Sequence, residues 1–317
     1  MISEDFEGFR AGFVAVVGRP NAGKSTLTNA LVGQKIAITA NQPETTRKVI
    51  RGIVNLEHAQ LILVDTPGLH RPRTLLGERL NDMVHETLAD VDAVAICLPA
   101  DEEIGPGDEF LLQLIAKTKA PIVAVVTKAD KVSQDALMQK LMAVDLFAQT
   151  HGIDQLAQIV PTSAVKGRQI DDLAAVLAEQ MPPSPPLYPR DVVTDESEED
   201  LMAEFIREAA LEGVRDELPH SIAVTIDEIE YSEKTKRNKK GNAQTEKFAK
   251  IWASVYVERD SQKGIIIGYR GARLKEVGQR ARHEIEALLG HKIFLDIHIK
   301  VAKDWQRDPK QLGKLGF

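Results

Sequence analysis

Gly18-Arg19-Pro20-Asn21-Ala22-Gly23-Lys24-Ser25 reads G-x-x-x-x-G-K-S, the spacing of a phosphate-binding loop. Phe13 to Val17 before it is short, apolar and β-branched, as a buried strand is, and Thr26 to Val32 after it reads as a helix that stops at Gly33. Strand, loop and helix together give the motif its chemistry. Gly18 and Gly23 let the backbone turn its N–H groups inward, and the helix N-terminus adds partial positive charge. Lys24 would reach the β- and γ-phosphates, and the Ser25 hydroxyl would ligate Mg²⁺. Arg19, Pro20, Asn21, Ala22 and Thr26 complete the cradle.

The 317 residues are enough for two domains, each with its own core, and 43% hydrophobic residues is ordinary for a soluble chain. The single cysteine, Cys97, lies in the apolar run Ala93 to Leu98, so it reads as a buried small residue and an intrachain disulfide is excluded. The reducing cytoplasm is the expected setting. No apolar run has transmembrane length, and the polar, acidic stretch Met1 to Arg10 does not read as a signal peptide. Charge is segregated. From Lys234 to Phe317 there are 20 Lys+Arg against 9 Asp+Glu, a net +11 that leaves −18 for the rest within a total of −7. A basic rear quarter suggests a polyanionic partner, although a solvated basic face explains the charge equally well. The eight histidines and one cysteine show no metal-ligand spacing.

Residues 13 to about 180 alternate strand-like and helix-like runs. After the first unit, 49–56, 61–64, 93–98, 122–126 and 159–162 read as strands, with helical patterns around 77–89, 108–117, 134–148 and 170–180. This is an α/β series, a mainly parallel sheet with helices on both faces, and ligands bind such sheets at the carboxyl ends of the strands. The prolines of 182–189 make a semi-rigid extended spacer. Past it, Ser197 opens a helix to about Leu211, and 221–257 reads as a long hairpin around a basic, mobile loop at 234–244. Gly264 to Leu289 reads as helix, turn, helix, and Ile293 to Val301 as a last strand. The expected domains are therefore 1–181, a proline-rich linker at 182–196, a second domain at 197–303 and a tail at 304–317.

Three further motifs stand at predicted strand ends. Asp65-Thr66-Pro67-Gly68 follows Leu61 to Val64, so Asp65 can reach the Mg²⁺ shell through water and the Gly68 N–H can bond a γ-phosphate. Thr127-Lys128-Ala129-Asp130 follows 122–126. Asp130 would accept from the two guanine N–H groups that adenine lacks, a discrimination enforced by the unpaired carboxylate left with the wrong base. The Lys128 stem would pack over that base. Ser163-Ala164-Val165 follows the next strand, with the Ala164 N–H placed to bond guanine O6. Each pattern is weak by itself; three in order at strand ends are strong.

These residues resemble the translation-factor-related branch of the P-loop GTPases. The resemblance implies that 41–48 is switch I, with Thr46, or alternatively Thr45, completing Mg²⁺ coordination, and that switch II runs from Asp65 into the eighties. Catalysis would then rest on Lys24, Thr46, Asp65 and Gly68, and the metal on Ser25, Thr46 and Asp65. Thr127 stands where such proteins usually have Asn; its hydroxyl can tie this loop to the phosphate loop. Leu69 stands where Ras-like proteins place a water-orienting glutamine, so slow intrinsic hydrolysis is expected. His70 is the nearby candidate base, against the plainer reading of an inert, exposed switch-loop histidine.

Ile265-Ile266-Ile267-Gly268-Tyr269-Arg270-Gly271-Ala272-Arg273-Leu274 is an apolar turn, a G-x-x-G loop and a helix. That is the signature of a KH domain, in which the glycines admit a nucleic-acid backbone. Arg270 and Arg273 would attract phosphates, and the apolar groove at Ile266 beside Gly268, Tyr269 and Gly271 would take unstacked bases. The surrounding order of helix, strand, strand, helix, helix, strand resembles an α+β type II KH fold. A P-loop GTPase followed by such a domain resembles the Era family over nearly the whole chain, including the tail from Lys300 to Asp308 and the ending Leu312 to Phe317. The family resemblance implies GTP, GDP and Mg²⁺ as ligands, binding to the 3′ end of small-subunit 16S ribosomal RNA, and a role in maturation of the small ribosomal subunit. A cytoplasmic monomer is expected, with peripheral association at the inner face of the cell membrane left open because a basic patch also attracts anionic lipid. Trp305 either packs on the KH sheet or stacks on a base. Two rival readings stand beside this one: a passive RNA-binding module stabilised by nucleotide, and a GTPase whose KH-like domain binds protein.

Overall fold

Alternation along β1 (Arg10–Gly18) builds the layered first half: Val14 and Val16 enter one core, Ala15 and Val17 the other. The computed structural model describes residues 8–39, 46–68, 74–214, 221–237 and 243–316. Thr45, Leu69 and His70 lie outside the described residues, as do 41–45 of the expected switch I. After β1 come α1 (Lys24–Val32), β2 (Ile50–Asn55), β3 (Ala59–Asp65), α2 (Leu75–Ala89), β4 (Ala93–Pro99), α3 (Pro106–Ile115), β5 (Ile122–Thr127), α4 (Gln134–Thr150), β6 (Leu156–Pro161) and α5 (Ile170–Glu179).

The strand order is β2-β3-β1-β4-β5-β6, parallel throughout except for β2, which runs antiparallel to β3. Helices α1 and α5 cover one face through Leu27, Leu31, Leu173 and Leu177. The other face carries α2, α3 and α4 through Val84, Leu88, Leu111, Leu112, Ile115 and Val144. Strands covered on both faces read as continuous apolar runs, and β3, β4 and β5 are buried along their whole length. β1 lies between β3 and β4, so the chain leaves it in opposite directions and a crevice opens at its carboxyl end.

The segment 182–196 forms no regular helix or strand, turns where the Val192 N–H donates to Pro189 O at 3.1 Å, and is bonded to this sheet. Ala11 N–H donates to Pro182 O at 3.2 Å, Ile53 N–H to Val193 O at 2.9 Å, and Thr194 Oγ1 to Arg51 O at 2.7 Å. Buried Gln60 uses both ends of its amide: Nε2 donates to Tyr188 O at 2.9 Å, and Oε1 accepts from the Leu187 and Tyr188 N–H groups at 2.7 and 2.9 Å. Arg51 pairs with Asp195 at 3.0 Å. The chain divides into two compact units, the first ending at Glu196 and the second beginning at Ser197.

The second unit contains α6 (Glu198–Leu211), β7 (Ala223–Arg237), β8 (Ala243–Val257), α7 (Asp260–Ile267), α8 (Ala272–Leu289), β9 (Lys292–Val301) and α9 (Pro309–Lys314). β8 is the middle strand, antiparallel to β7 and parallel to β9. Ser197 caps α6 by accepting the Asp200 N–H at 3.1 Å, and three acidic residues in the first turn suit the helix dipole. Two expectations are corrected here. Backbone pairing runs on to Lys234↔Glu246 and Arg237↔Ala243, so most of the basic stretch expected as a mobile loop is strand, and only 238–242 falls outside the described residues. Helix α7 starts at Asp260, not Gly264, because Gln262 turns back to accept the Glu258 and Arg259 N–H groups at 2.8 and 3.0 Å. Trp305 is buried and donates from Nε1 to Ser221 O at 3.0 Å, so it packs within this unit and is not available for stacking. None of the described helices is long and apolar enough to cross a membrane.

Glu286 joins α8 to β9. It accepts from Lys292 Nζ at 2.7 Å, Arg282 Nε at 2.9 Å and the Ile293 N–H at 3.2 Å. Burial works against its charge, yet these donors outweigh burial and hold the carboxyl at about 2. A carboxyl held low stabilises the fold above its ordinary value of 4.5 and loses that contribution as pH falls toward 2. Allowing for screening at the exposed donors, Glu286→Gln is expected to cost about 1–2 kcal/mol at pH 7. The gap to wild type should close between pH 4.5 and 2, as followed by acid-titrated thermal melts. An equal gap at pH 7 and pH 2.5 would contradict it.

Candidate nucleotide site and nucleic-acid interface

The phosphate loop, the end of β3, the end of β5 and the end of β6 meet at the carboxyl edge of the sheet. Register alone places them there: Val16 lies beside Asp65, Gly18 beside Cys97, and Pro99 beside Thr127. The loop turns through left-handed backbone at Asn21 and at Gly23, where φ is 91°, and α1 begins at Lys24 with no acidic residue in its first turn. Its N-terminal N–H groups are therefore left for an anion. Lys24 is buried and its Nζ donates to Gly18 O at 3.0 Å and Arg19 O at 3.1 Å, so it lies across the loop. Burial lowers its pKa, against the attraction of Asp65.

Asp65 is fully buried. Burial pushes its carboxyl up to about 6, while Lys24 and the Ser25 hydroxyl pull it down. Ser25 Oγ donates to Asp65 Oδ2 at 2.7 Å and lies 3.0 Å from Thr46 Oγ1. Asp65 Oδ1 is buried and has no hydrogen-bond partner among the described residues. Ser25, Thr46 and Asp65 thus converge as a set of oxygen donors with one buried acceptor unsatisfied, which fits a hard cation such as Mg²⁺. Among the described residues no cluster of His, Cys, Asp and Glu could hold a metal. Gly68 packs against the loop, where an added Cβ would stand 3.0 Å from Pro20 N. Thr66 faces away, donating to Val16 O at 2.9 Å, and Pro67 is buried beside it. Cys97 lies behind the loop, its thiol pushed by burial up to about 12, which leaves it inert as a nucleophile.

At the other end of the crevice, Thr127 Oγ1 donates to Ala22 O at 2.7 Å, tying the two loops together. Asp130 is exposed and accepts Ser163 Oγ at 2.5 Å, which holds its carboxyl below the usual range. Ala129 N–H donates to Thr162 O at 3.0 Å, and the turn carrying Ala164 is closed by paired Ser163 and Arg168 backbone bonds. Val165 is 76% exposed. Two charged side chains of these loops find acidic partners outside their motifs. Lys128 Nζ is drawn to Glu102 Oε1 at 3.3 Å, and Arg19 Nε to Asp108 Oδ1 at 2.7 Å. Thr26 is half-buried on α1.

In the second unit, Gly268 to Gly271 form a tight turn between α7 and α8. Gly268 has φ 70° and ψ 179°, a region open essentially to glycine, and an added Cβ would meet Arg273 Cβ at 2.7 Å. Arg270 is itself left-handed at φ 50°. Tyr269 is 79% exposed, with the Arg270 guanidinium 5.2 Å from its ring centre. The expected roles of two neighbours are corrected. Ile266 is fully buried and cannot touch RNA, because the helical phase set by Asp260 turns it inward; Ile265, 50% exposed, is the apolar surface beside the turn. Arg273 Nη2 donates to Ala210 O at 3.2 Å and Glu212 O at 2.7 Å, so it closes the C-terminal end of α6 and does not stand free for a phosphate.

Residues 13–128 match the family described as 50S ribosome-binding GTPase, and residues 217–306 match the KH domain family. The chain is 58% identical over 311 residues to the GTPase Era of Mycolicibacterium smegmatis, covering 98% of this chain and 99% of that one. The chain belongs to the Era family of GTPases. A second Era relative, from Streptomyces coelicolor, is 59% identical over 309 residues, 97% of this chain and 95% of that one. A solved Era structure in complex with MgGDPNP and nucleotides 1506–1542 of 16S ribosomal RNA has a TM-score of 0.87 at 36% identity, covering 97% of this chain and 99% of that one. An Aquifex aeolicus Era variant bound to GDP and AlF4⁻ has a TM-score of 0.86 at the same identity and coverage. As an Era-family member the chain is a GTPase, converting GTP to GDP and phosphate, with a KH domain behind the GTPase domain.

Proposed function

We propose that this chain is a GTP-driven switch whose KH unit holds the 3′ region of 16S ribosomal RNA during maturation of the small ribosomal subunit. Residues 18–25, Asp65 to Gly68, Thr127 to Asp130 and Ser163 to Val165 would cradle the nucleotide. Ser25, Thr46 and Asp65 would hold Mg²⁺, which would screen the phosphate charge. The observation that carries the RNA half is the Gly268–Gly271 turn, whose backbone puts Tyr269 and Arg270 into solvent beside exposed Ile265. A base can stack on the tyrosine and a phosphate can meet the guanidinium.

Affinity for an RNA carrying the 3′ end of 16S, measured by fluorescence anisotropy, is expected to be highest with a GTP analogue and lower with GDP or no nucleotide. Equal affinity in all three states would remove the coupling and favour the passive RNA-binding module. Replacing both Tyr269→Asp and Arg270→Asp is expected to weaken that binding at least about 30-fold, since a stacking contact and a phosphate contact are lost together. Unchanged RNA affinity would point to a protein partner for this turn. Co-sedimentation with small and large subunits, and with anionic vesicles, separates the small-subunit reading from large-subunit or membrane-surface binding.

A further inference from the structure

The acidic segment Asp101-Glu102-Glu103, between β4 and α3, touches both halves of the crevice. On one side Arg19 Nη2 reaches Glu102 Oε2 at 3.2 Å and Arg19 Nε reaches Asp108 Oδ1 at 2.7 Å. On the other, Lys128 Nζ lies 3.3 Å from Glu102 Oε1, and Lys131 Nζ lies 3.0 Å from Asp101 Oδ2. Glu102 therefore spends one oxygen on the phosphate loop and the other on the base loop. Lys140 of α4 donates to the Glu102 carbonyl at 2.5 Å and fixes the segment's backbone. Asp108 is 1% exposed, and its second oxygen accepts the Gly105 N–H at 3.0 Å at the start of α3. Gly107 leaves room for the arginine stem, since a Cβ there would stand 2.9 Å from Arg19 Cδ.

We infer that Arg19 and Asp108, with Glu102, are positioning residues that brace the phosphate loop against the base loop and so set how long the nucleotide is retained. The link to the phosphates runs through Arg19's own backbone, whose carbonyl accepts Lys24 Nζ at 3.1 Å. If Arg19 loses its anchor, that carbonyl and the lysine it orients are free to move, and small misplacements of a binding group are costly. The buried Asp108 carboxylate makes this more than a surface ion pair, because removing the guanidinium leaves a desolvated charge with only the Gly105 N–H and the electrostatic pull of Lys140 to compensate it. The inference rests on the nucleotide site proposed above.

The test is release of a fluorescent GDP analogue and steady-state GTP turnover in Asp108→Asn, Arg19→Ala, the double variant and Glu102→Gln. Asparagine keeps an oxygen for the start of α3 while removing the charge facing Arg19. Each of the first two is expected to release the analogue about tenfold faster and the double variant no faster than either, as for residues acting through one contact. KM for GTP should rise by a similar factor, while kcat changes less than about threefold. Glu102→Gln, at a partly exposed position, should speed release about threefold with its melting temperature held, which keeps the test valid if the buried variants fold poorly. Release within twofold of wild type in both Asp108→Asn and Glu102→Gln would overturn the inference. So would effects that multiply in the double variant. Lys24→Ala serves as the control: if it still retains the analogue, the site reading itself fails, whereas loss there with wild-type release in the brace variants sinks the brace alone.

Discussion

Lys24→Ala is expected to lower kcat/KM for GTP by roughly 10²–10³-fold, the cost of removing a charged donor aimed at developing phosphate charge in a water-poor site. The buried lysine lies across the loop between two carbonyls, 3.0 and 3.1 Å away, and a triphosphate would offer it stronger acceptors than either. Stability without nucleotide is expected to fall as well. Alanine removes the cost of burying the ammonium, but it leaves the fully buried Asp65 without the positive charge that pulls its carboxyl down, and the Gly18 and Arg19 carbonyls without their donor. The diagnostic readout is therefore nucleotide-induced stabilisation, which should disappear. Turnover within tenfold of wild type would show that the phosphates lie elsewhere.

The second large effect is expected at the turn of the KH unit. Gly268→Ala forces a side chain into φ 70°, ψ 179° and brings its Cβ within 2.7 Å of Arg273 Cβ and 3.1 Å of Arg273 N. Backbone in that region costs on the order of 1–3 kcal/mol for a residue with a Cβ, before the clash is counted. Because the clashing atoms belong to the first turn of α8, relief would move Arg273 off the α6 carbonyls that it holds. A loss of about 3 kcal/mol, or roughly 10 °C in the melting of this unit, should accompany weaker RNA binding. Gly271→Ala is the matched control: φ is 77°, but among the described residues nothing outside its own chain neighbours lies within 4 Å of the added carbon, so only the smaller backbone term, about 1 kcal/mol, applies. Equal effects at the two glycines would show that the steric argument is wrong.

The parts of the site that were legible in the sequence are those where backbone geometry, residue type and strand position act together. A glycine-bounded loop after an apolar strand can be recognised because turn and helix are fixed by neighbours in the chain. Asp65 and Thr127 were legible for the same reason, as polar residues closing buried strands, and Ser163 as a polar residue just past β6. The misread residues depend on side-chain direction, which spacing does not encode. Ile266 and Ile265 differ by one position on α7, and which of them faces outward follows from a helix start that Gln262 sets with its own amide. Arg273 beside a G-x-x-G loop looks like a phosphate ligand until α6 is seen to end against it. Arg19 and Lys128 were not misread, but their motifs do not announce where the charged ends go, which is to the Asp101–Asp108 segment, a stretch with no motif of its own.

The strapped segment 182–196 has a practical consequence for dissecting the molecule. Its prolines mark an obvious place to cut, yet β2 is the outermost strand of the six, and Arg51, Ile53 and Asn55 find partners in Val192 to Asp195. A fragment ending at Gln180 would leave that rim bare, strip Gln60 of its three backbone partners and expose an adhesive edge prone to aggregate. An N-terminal fragment carried through to Glu196 keeps its own seal.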